Sequence, residues 1–595
     1  MTARTPHIPQ IIVLDTGGQY CHLIARRVRE LGVYAEVRRS DVPAAELDGA
    51  RGIIISGGPA SVYDQNSPRI DPEILKGNSA VLGICYGLQL MAQALGASVT
   101  PGIKGEYGLA TLHFEDGAVA SKLLAGLTDG QQIWMSHKDV VTSAPAGFSR
   151  TGSTATCSVA VMEKPERALY GVQFHPEVVH TTEGRELLSN FVFAIAGCSR
   201  DWDPAHHPDD IEQQIRQIVG DRSVFFFVSG GVDSTVAFTL CLRALGPKRV
   251  RGVYVDTGFM RDGETAAVEH MFAHLGGEVA VESASEEFLG ALAGVRDPET
   301  KRSIIGEAFV AVQERIIDAR HLLDGHWILG QGTIYPDTIE SGGTSQAAVI
   351  KTHHNRVDGI QKLIQQGRIV EPLASYYKDE VRAIGMHLGL PQEYLERHPF
   401  PGPGLAIRCL CSELDAELVP RGEAFIVPVR SVGVQGDFRT YAPVLATPEY
   451  PSRTAALQNA ATELVNSSGE INRVIALVDS VAPLAAMRVW RSAVTPQRIE
   501  RLREADRIVR DMSHASGFDR EIWQFPVVLI PVGIEGRADS IVLRPVDSID
   551  GMTAQSVSMD EEALAAMADQ LLNVGGIAAV FYDLTHKPPA TIEWE

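Results

Sequence analysis

Between residues 10 and 400, short unbroken apolar runs alternate with helical stretches, and run after run ends in a glycine-rich polar turn. The runs include Ile11–Leu14, Gly52–Ile55, Ala80–Ile84, Val224–Val228, Val250–Val255 and Trp327–Leu329. The turns are Asp15-Thr-Gly-Gly, Ser56-Gly-Gly-Pro, Gly83-Ile-Cys-Tyr-Gly, Ser229-Gly-Gly, Asp256-Thr-Gly and Gly330-Gln-Gly-Thr. Strands that are apolar on both faces need helices above and below them, which predicts parallel sheets. Ligands in such folds sit at the carboxyl ends of strands, so these turns are where chemistry is expected. A chain of 595 residues exceeds one core and predicts roughly three or four domains. The polar, proline-bearing segment Ser199–Asp210 reads as a linker, and His398–Leu405 as a second boundary. After Thr495-Pro496, Ile499, Leu502, Ala505, Ile508, Val509 and Met512 mark one buried face of a helix.

Composition narrows the function. Hydrophobic residues at 45% and charged residues at 21% are ordinary for a soluble globular chain. The net charge of −21 disfavours nucleic-acid binding, which needs basic faces. It also requires local cations to hold any phosphate-bearing substrate. There is no signal-peptide core and no apolar run long enough to span a membrane. Seven cysteines without pattern argue against a disulfide framework or a zinc site, and fit a reducing cytoplasm.

Gly83-Ile84-Cys85-Tyr86-Gly87 lies between a buried strand and an apolar helix. The flanking glycines let strand and helix approach closely, forcing Cys85 up on a tight turn at a helix N-terminus, where the dipole favours thiolate. A lone cysteine is usually structural. Here His175-Pro176-Glu177 follows another strand, and residues at i and i+2 of an extended chain face the same side. Glu177 can then orient His175, whose other nitrogen faces Cys85, giving triad logic with a thiol. Ser56-Gly57-Gly58-Pro59 is a candidate oxyanion loop.

A second turn, Ser229-Gly230-Gly231-Val232-Asp233-Ser234-Thr235, again joins a strand to a helix. Backbone N–H groups and a helix N-terminus form a nest for phosphate. No Gly-Lys-Ser/Thr is present, so this is not a Walker A loop. Asp233 beside a phosphate site is unfavourable unless a cation such as Mg²⁺ bridges the two. Val255-Asp256-Thr257-Gly258 would flank an adenosine. Gln331 and Asp337 lie in a long polar turn after the next strand, and Lys351 and Lys378 are candidates to neutralise phosphate charge as pyrophosphate leaves. The adjacent His353 and His354 are poorly placed to chelate one metal.

The elbow, the oxyanion loop and His-Pro-Glu together resemble the class I glutamine amidotransferases over residues 9–200. That resemblance implies Cys85 as nucleophile, His175 as base and Glu177 as its orienter. It further implies an oxyanion hole from the Gly58 and Tyr86 N–H groups, and glutamine contacts from Gln89, Ser136 and His137. The 229–235 loop resembles that of the ATP pyrophosphatases. Lys301-Arg302-Ser-Ile-Ile-Gly, Gln331-Gly-Thr, Lys351-Thr-His-His-Asn, Glu371-Pro-Leu, Arg397-His-Pro-Phe-Pro-Gly-Pro-Gly-Leu405 and Lys587-Pro-Pro-Ala-Thr-Ile-Glu-Trp-Glu595 extend the resemblance to the glutamine-hydrolysing GMP synthase family over nearly the whole chain. It implies an α/β protein with two doubly wound, mostly parallel-sheet domains: a flavodoxin-like amidotransferase (9–200) and a Rossmann-like ATP pyrophosphatase (201–404). A C-terminal α+β domain (405–595), with a long insertion at about 442–540, would complete it.

The implied reaction has two steps. ATP, with Mg²⁺, adenylates the 2-oxygen of XMP and releases pyrophosphate; ammonia from glutamine then displaces AMP to give GMP. Carried over by motif position, the XMP-binding residues are Arg302, Asp437, Gln524, Lys587, Ile592 and Glu593. Shorter family members dimerise through the C-terminal region; an inserted subdomain would fill the same surface, and a homodimer is the expectation carried forward. Lys104–Gly108 and the linker near 200 are candidates for relaying occupancy between sites. Two competing readings remain. One is another ATP pyrophosphatase such as NAD synthase, against which the C-terminal region and tail argue. The other is a binding protein with a dead amidotransferase, against which the filled triad argues.

Overall fold

A computed structural model describes residues 8–18, 20–115, 118–340, 358–395, 397, 400–435, 438–448, 455–548, 554–587 and 589–595. The expected Lys351 and Asp437 lie outside these residues, as does the side chain of Lys104.

The first layer is an eight-stranded sheet. Its parallel part comprises β1 (Ile11–Asp15), β2 (Ala35–Arg39), β3 (Gly52–Ile55), β4 (Ala80–Ile84) and β10 (Leu169–Val172), in the order β2-β1-β3-β4-β10. Every residue of β3, β4 and β10 is buried, as expected for strands covered on both faces. Short antiparallel strands β6 (His113–Phe114), β8 (Ser149–Ser153) and β9 (Val161–Lys164) finish the sheet. A separate antiparallel pair, β5 (Val99–Thr111) and β7 (Gln132–Val141), leans over its carboxyl end. Helix α1 (Cys21–Glu30) follows β1, and α2 (Tyr86–Ala94) follows β4.

The second layer is a parallel five-stranded sheet, ordered β13 (Glu278–Ser283), β12 (Val250–Asp256), β11 (Ser223–Phe227), β14 (Trp327–Gly330), β15 (Ile369–Val370). Helix α3 (Val232–Leu245) leaves β11 directly, and α4 (Lys378–His387) follows β15. The apparent linker is pinned rather than loose. Trp202 is buried, stacks on Tyr376 and sits 4.6 Å from the Tyr34 ring, so it fastens the first layer to the second.

The third layer is a seven-stranded mixed sheet. Its order is Val419–Arg421, Ala424–Gln435, Phe438–Thr447, Arg473–Ser480, Ile577–Asp583, Asp539–Leu543, Val527–Ile530. Within the segment 442–540, Arg473–Ser480 occupies the middle of the sheet. Helix α5 (Pro496–Ser516) buries Ile499, Leu502, Ala505, Ile508 and Val509, as the periodicity predicts. Thr495 caps it, its hydroxyl accepting from Arg498 N–H at 3.2 Å. One continuous core joins α5 to Val255, Phe259 and Leu405 of the second layer. The proline-rich boundary thus contributes core: Leu405 N–H donates to Phe259 O at 2.7 Å. No helix among the described residues is long and apolar enough to cross a membrane.

Candidate active sites

Four neighbouring strands of the first layer end at one place. β1 delivers Thr16–Gly18, β3 delivers Ser56–Gly58, β4 delivers Cys85 and β10 leads to His175. Cys85 has φ 51°, a left-handed conformation that a side-chain-bearing residue rarely adopts. The turn is this tight because its flanks lack side chains. A Cβ on Gly83 would lie 2.6 Å from Met91 Sδ, and one on Gly87 would lie 2.2 Å from Ile55 O. A Cβ on Gly57 would come within 2.8 Å of His175 Cε1 and 3.4 Å of Cys85 Cβ, so this glycine keeps open the space between them. The loop carrying Gly58 is fixed by Thr16, whose hydroxyl donates to Gly57 O at 2.8 Å and whose N–H donates to Ser56 Oγ at 3.1 Å.

His175 is buried, with Nδ1 2.7 Å from Glu177 Oε1. Burial alone would lower its pKa. The Glu177 carboxylate and the Cys85 sulfur, within hydrogen-bonding reach of the ring, outweigh burial and raise the pKa to about 10. The structure thus brings Cys85, His175 and Glu177 together, with Glu177 set to fix the ring tautomer. The Cys85 thiol donates to Ser136 O at 3.5 Å, so Ser136 meets the nucleophile through its backbone. Tyr86 is buried at the first position of α2. Gln89 is buried lower on that helix, where its amide donates to Asp139 O at 2.8 Å. His137 lies opposite Glu106 in the β5–β7 pair; burial lowers its pKa against the pull of that carboxylate.

The second layer repeats the logic. Gly230 has φ 73°, and its carbonyl accepts from Arg397 Nη1 at 3.0 Å; Gly231 N–H donates to Ser229 Oγ at 3.2 Å. Val232 to Thr235 form the first turn of α3, so their N–H groups point towards the loop. The turn after β14 packs directly on this one. A Cβ on Gly332 would lie 2.8 Å from Ser234 N, which is why the segment carrying Gln331 has glycine there. Thr333 Oγ1 donates to Glu371 Oε1 at 2.6 Å, closing the rim beside β15. Asp233 Oδ1 and Ser234 Oγ are buried without a hydrogen-bond partner. Burial raises the Asp233 pKa; Lys378 then lowers it and Asp337 raises it, so all three converge on the loop. Val255 lies buried near the end of β12, beside Asp256, which accepts from Gly258 N–H at 2.9 Å.

Arg302, from the helix Pro298–Ala319, meets the C-terminal tail of the third layer, which carries Lys587, Ile592 and Glu593. Arg302 donates to Glu595 O, and Ile592 O accepts from Arg544 Nε at 3.0 Å. Glu593 takes a two-pronged pair from Arg408, at 2.9 and 2.7 Å. Lys587 and Ala554 exchange backbone hydrogen bonds, and Gln524 N–H donates to Val546 O at 3.1 Å. Under the tail lies a wholly buried group, Asp583 with Arg473 and Arg544, where Trp594 Nε1 also donates to Asp583 at 3.0 Å. Ile592 and Trp594 had marked the tail as apolar; its seating on buried arginines had no signal in the sequence.

Between the first two sites, α1 makes contacts in both directions. Arg27 Nε donates to Glu177 O at 3.0 Å, and Tyr20 packs edge-on against the His175 ring. From the same helix, His22 Nδ1 lies 3.2 Å from Tyr377 OH, and Arg29 is enclosed by Tyr34, Trp202, Tyr335 and Tyr377.

Comparison with known proteins agrees with these three layers. The family description "Glutamine amidotransferase class-I" matches residues 12–195, "NAD synthase" matches 207–291, and "GMP synthase C terminal domain" matches 511–594. A glutamine-hydrolyzing GMP synthase of Thermobifida fusca is 40% identical over 602 residues, covering 98% of each chain. One of Streptomyces coelicolor is 40% identical over 599 residues, again covering 98% of each. Among solved structures, a glutamine amidotransferase of Thermotoga maritima is 18% identical, with TM-score 0.27, and spans 32% of this chain and 100% of its own. The NAD synthase match stops within the second layer, whereas the relatives align over nearly the whole chain. On that full-length similarity, the chain belongs to the glutamine-hydrolysing GMP synthases.

Proposed function

We propose that this enzyme makes GMP from XMP, ATP and glutamine, with the residues described above in the following roles. Cys85 Sγ attacks the side-chain carbonyl carbon of glutamine, while the Gly58 and Tyr86 N–H groups receive the developing oxyanion. His175, held by Glu177, passes its proton to the departing nitrogen, which leaves as ammonia. Water, activated by the same ring, then hydrolyses the thioester to glutamate. Ser136, His137 and Gln89 would shape the glutamine pocket, Gln89 from beneath through Asp139.

In the second layer, Ser229 to Thr235 would cradle the ATP phosphates and Val255 would flank the adenosine, with Gln331, Asp337, Lys351 and Lys378 around the transferring group. The Asp233 Oδ1 atom, buried and without a hydrogen-bond partner, fits a cation ligand; Mg²⁺ held there would neutralise phosphate charge. The xanthine 2-oxygen attacks the α-phosphorus and pyrophosphate departs. Ammonia then attacks C2 and AMP leaves with the oxygen. Arg302, Asp437, Gln524, Lys587, Ile592 and Glu593 would hold XMP. The domains would be 9–200, 201–404 and 405–595, the enzyme cytoplasmic and dimeric.

The observation carrying this reading is that one chain holds a thiol triad and a separate phosphate loop, with α1 touching the first site and the second layer. Incubation with ATP, Mg²⁺, XMP and glutamine should release AMP and pyrophosphate in equal amounts. AMP release with another acceptor but none with XMP would overturn the substrate assignment.

A further inference from the structure

Helix α5 lies across the loop that follows β12. Arg503 donates from Nε to Met260 O at 3.0 Å and from Nη2 to Gly258 O at 2.7 Å, and Arg510 Nη2 donates to Asp262 O at 3.3 Å. Between these arginines stands Asp506, wholly buried. Its Oδ2 accepts from Arg510 Nε at 2.8 Å and lies 3.5 Å from Arg261 Nε of the loop. Its Oδ1 lies 4.0 Å from Arg408 Nη1. Arg408, also wholly buried, is the arginine that grips Glu593 of the tail. Both Arg261 and Arg408 cover the Phe400 ring, at 4.4 and 5.5 Å. A line of alternating charge therefore runs from the loop to the tail: Arg261, Asp506, Arg408, Glu593.

Two joints in this line are loose. Arg261 Nε, Arg408 Nη1 and Asp506 Oδ1 are buried and make no hydrogen bond. Buried charged groups in that condition gain from any small movement that closes the gap. Arg408 faces two carboxylates and grips only Glu593. Whatever draws Arg408 towards Asp506 relaxes its hold on Glu593.

We propose that Asp506 is a positioning residue that couples the two substrates: closure of the Gly258–Asp262 loop on ATP pulls Arg261, Asp506 and Arg408 together and frees Glu593 to take XMP. This deepens the reading above, since it rests on the end of β12, which runs into that loop, flanking the adenosine and on Glu593 contacting XMP. Substituting Asp506 with asparagine leaves Glu593 as the remaining anion beside Arg408 and holds the tail carboxylate in its present pair.

The test is calorimetric titration of XMP into the full-length enzyme, with and without saturating α,β-methylene-ATP, which cannot transfer AMP. In the unsubstituted enzyme the analogue should tighten XMP binding about tenfold, within the usual range of coupling between sites. Asp506→Asn should reduce that factor to about one and raise the KM for XMP more than it lowers kcat. A merely structural role would lower the melting temperature and leave the coupling factor intact. Should Asp506→Asn not fold, Arg261→Gln, on the loop side, must show the same loss. A coupling factor unchanged in the variant that folds overturns the inference. Glu593→Gln separates the two levels: if it leaves XMP affinity unchanged, the underlying reading fails. If it weakens XMP while Asp506→Asn leaves coupling intact, only this inference fails.

Discussion

Arg29 of α1 and Glu380 of α4 form an ion pair 3.1 Å long, almost fully buried between the first and second layers. Glu380 also accepts from Trp202 Nε1 and from Tyr377 N–H, so one carboxylate joins α1, the residue-200 segment and the start of α4. Burial raises the Glu380 pKa against the pull of Arg29. Glu380→Gln leaves a buried guanidinium without its counter-charge, which typically costs about 3–5 kcal/mol. Urea unfolding should show that loss, whereas Arg29→Met paired with Glu380→Leu should recover much of it. Equal stability of Glu380→Gln and the unsubstituted protein would mean that the pair holds nothing together.

Gly57 keeps space between Cys85 and His175. Gly57→Ala would place a methyl 2.8 Å from the imidazole and push the ring from the sulfur. Glutamine hydrolysis should fall at least about 100-fold, since small misplacements of catalytic groups cost that much. GMP formation from added ammonium salts should stay within about twofold, because the second layer is untouched. A comparable fall in both assays would contradict the assignment.

The raised pKa of His175 has a definite consequence for stability. A folded-state pKa of about 10, above the ordinary value of roughly 6.5, stabilises the fold fully below the ordinary value and loses that contribution as pH climbs through 10. Melting temperature should therefore drop between pH 7 and 10.5 more in the unsubstituted protein than in Glu177→Gln, where the principal cause of the rise is gone. Parallel melting curves for the two proteins across that range would refute the electrostatic account.

Asp233 stands half-buried in the first turn of α3, where burial raises its pKa, Lys378 lowers it and Asp337 raises it. Asp233→Asn should cut AMP release at least about 1000-fold with either nitrogen donor, since one electrostatic group in such a site is worth about 10²–10³ and loss of a bound cation adds to it. Alkylation of Cys85 by a glutamine-derived chloroketone, which forms a thioether with loss of chloride and is followed by mass spectrometry, should proceed. Near-normal AMP release would remove Asp233 from the phosphate site.

The parts legible in the sequence were those decided locally. Gly83 and Gly87 announced the elbow because a missing Cβ is a local property, and the His175–Glu177 contact followed from a spacing of two residues. The helix over Thr495–Met512 was legible because its apolar face has one period. What escaped was long-range. Nothing beside Arg29 in the chain indicates that Tyr34, Trp202, Tyr335 and Tyr377 will surround it. Trp202 sits in a polar, proline-bearing stretch whose composition says linker. The place of the strand Arg473–Ser480 in the middle of the third sheet had no signal, because sheet neighbours need not be chain neighbours. The pairing of Arg408 with Glu593 joins residues 185 positions apart, beyond any pattern of spacing.

The most direct test compares nitrogen donors in Cys85→Ala. Losing the sulfur should abolish GMP formation from glutamine, ATP and XMP while leaving formation from ammonium salts close to that of the unsubstituted enzyme. If the variant still makes GMP from glutamine, or makes none from ammonium, then a thiol centre in the first layer does not feed a separate amination centre in the second.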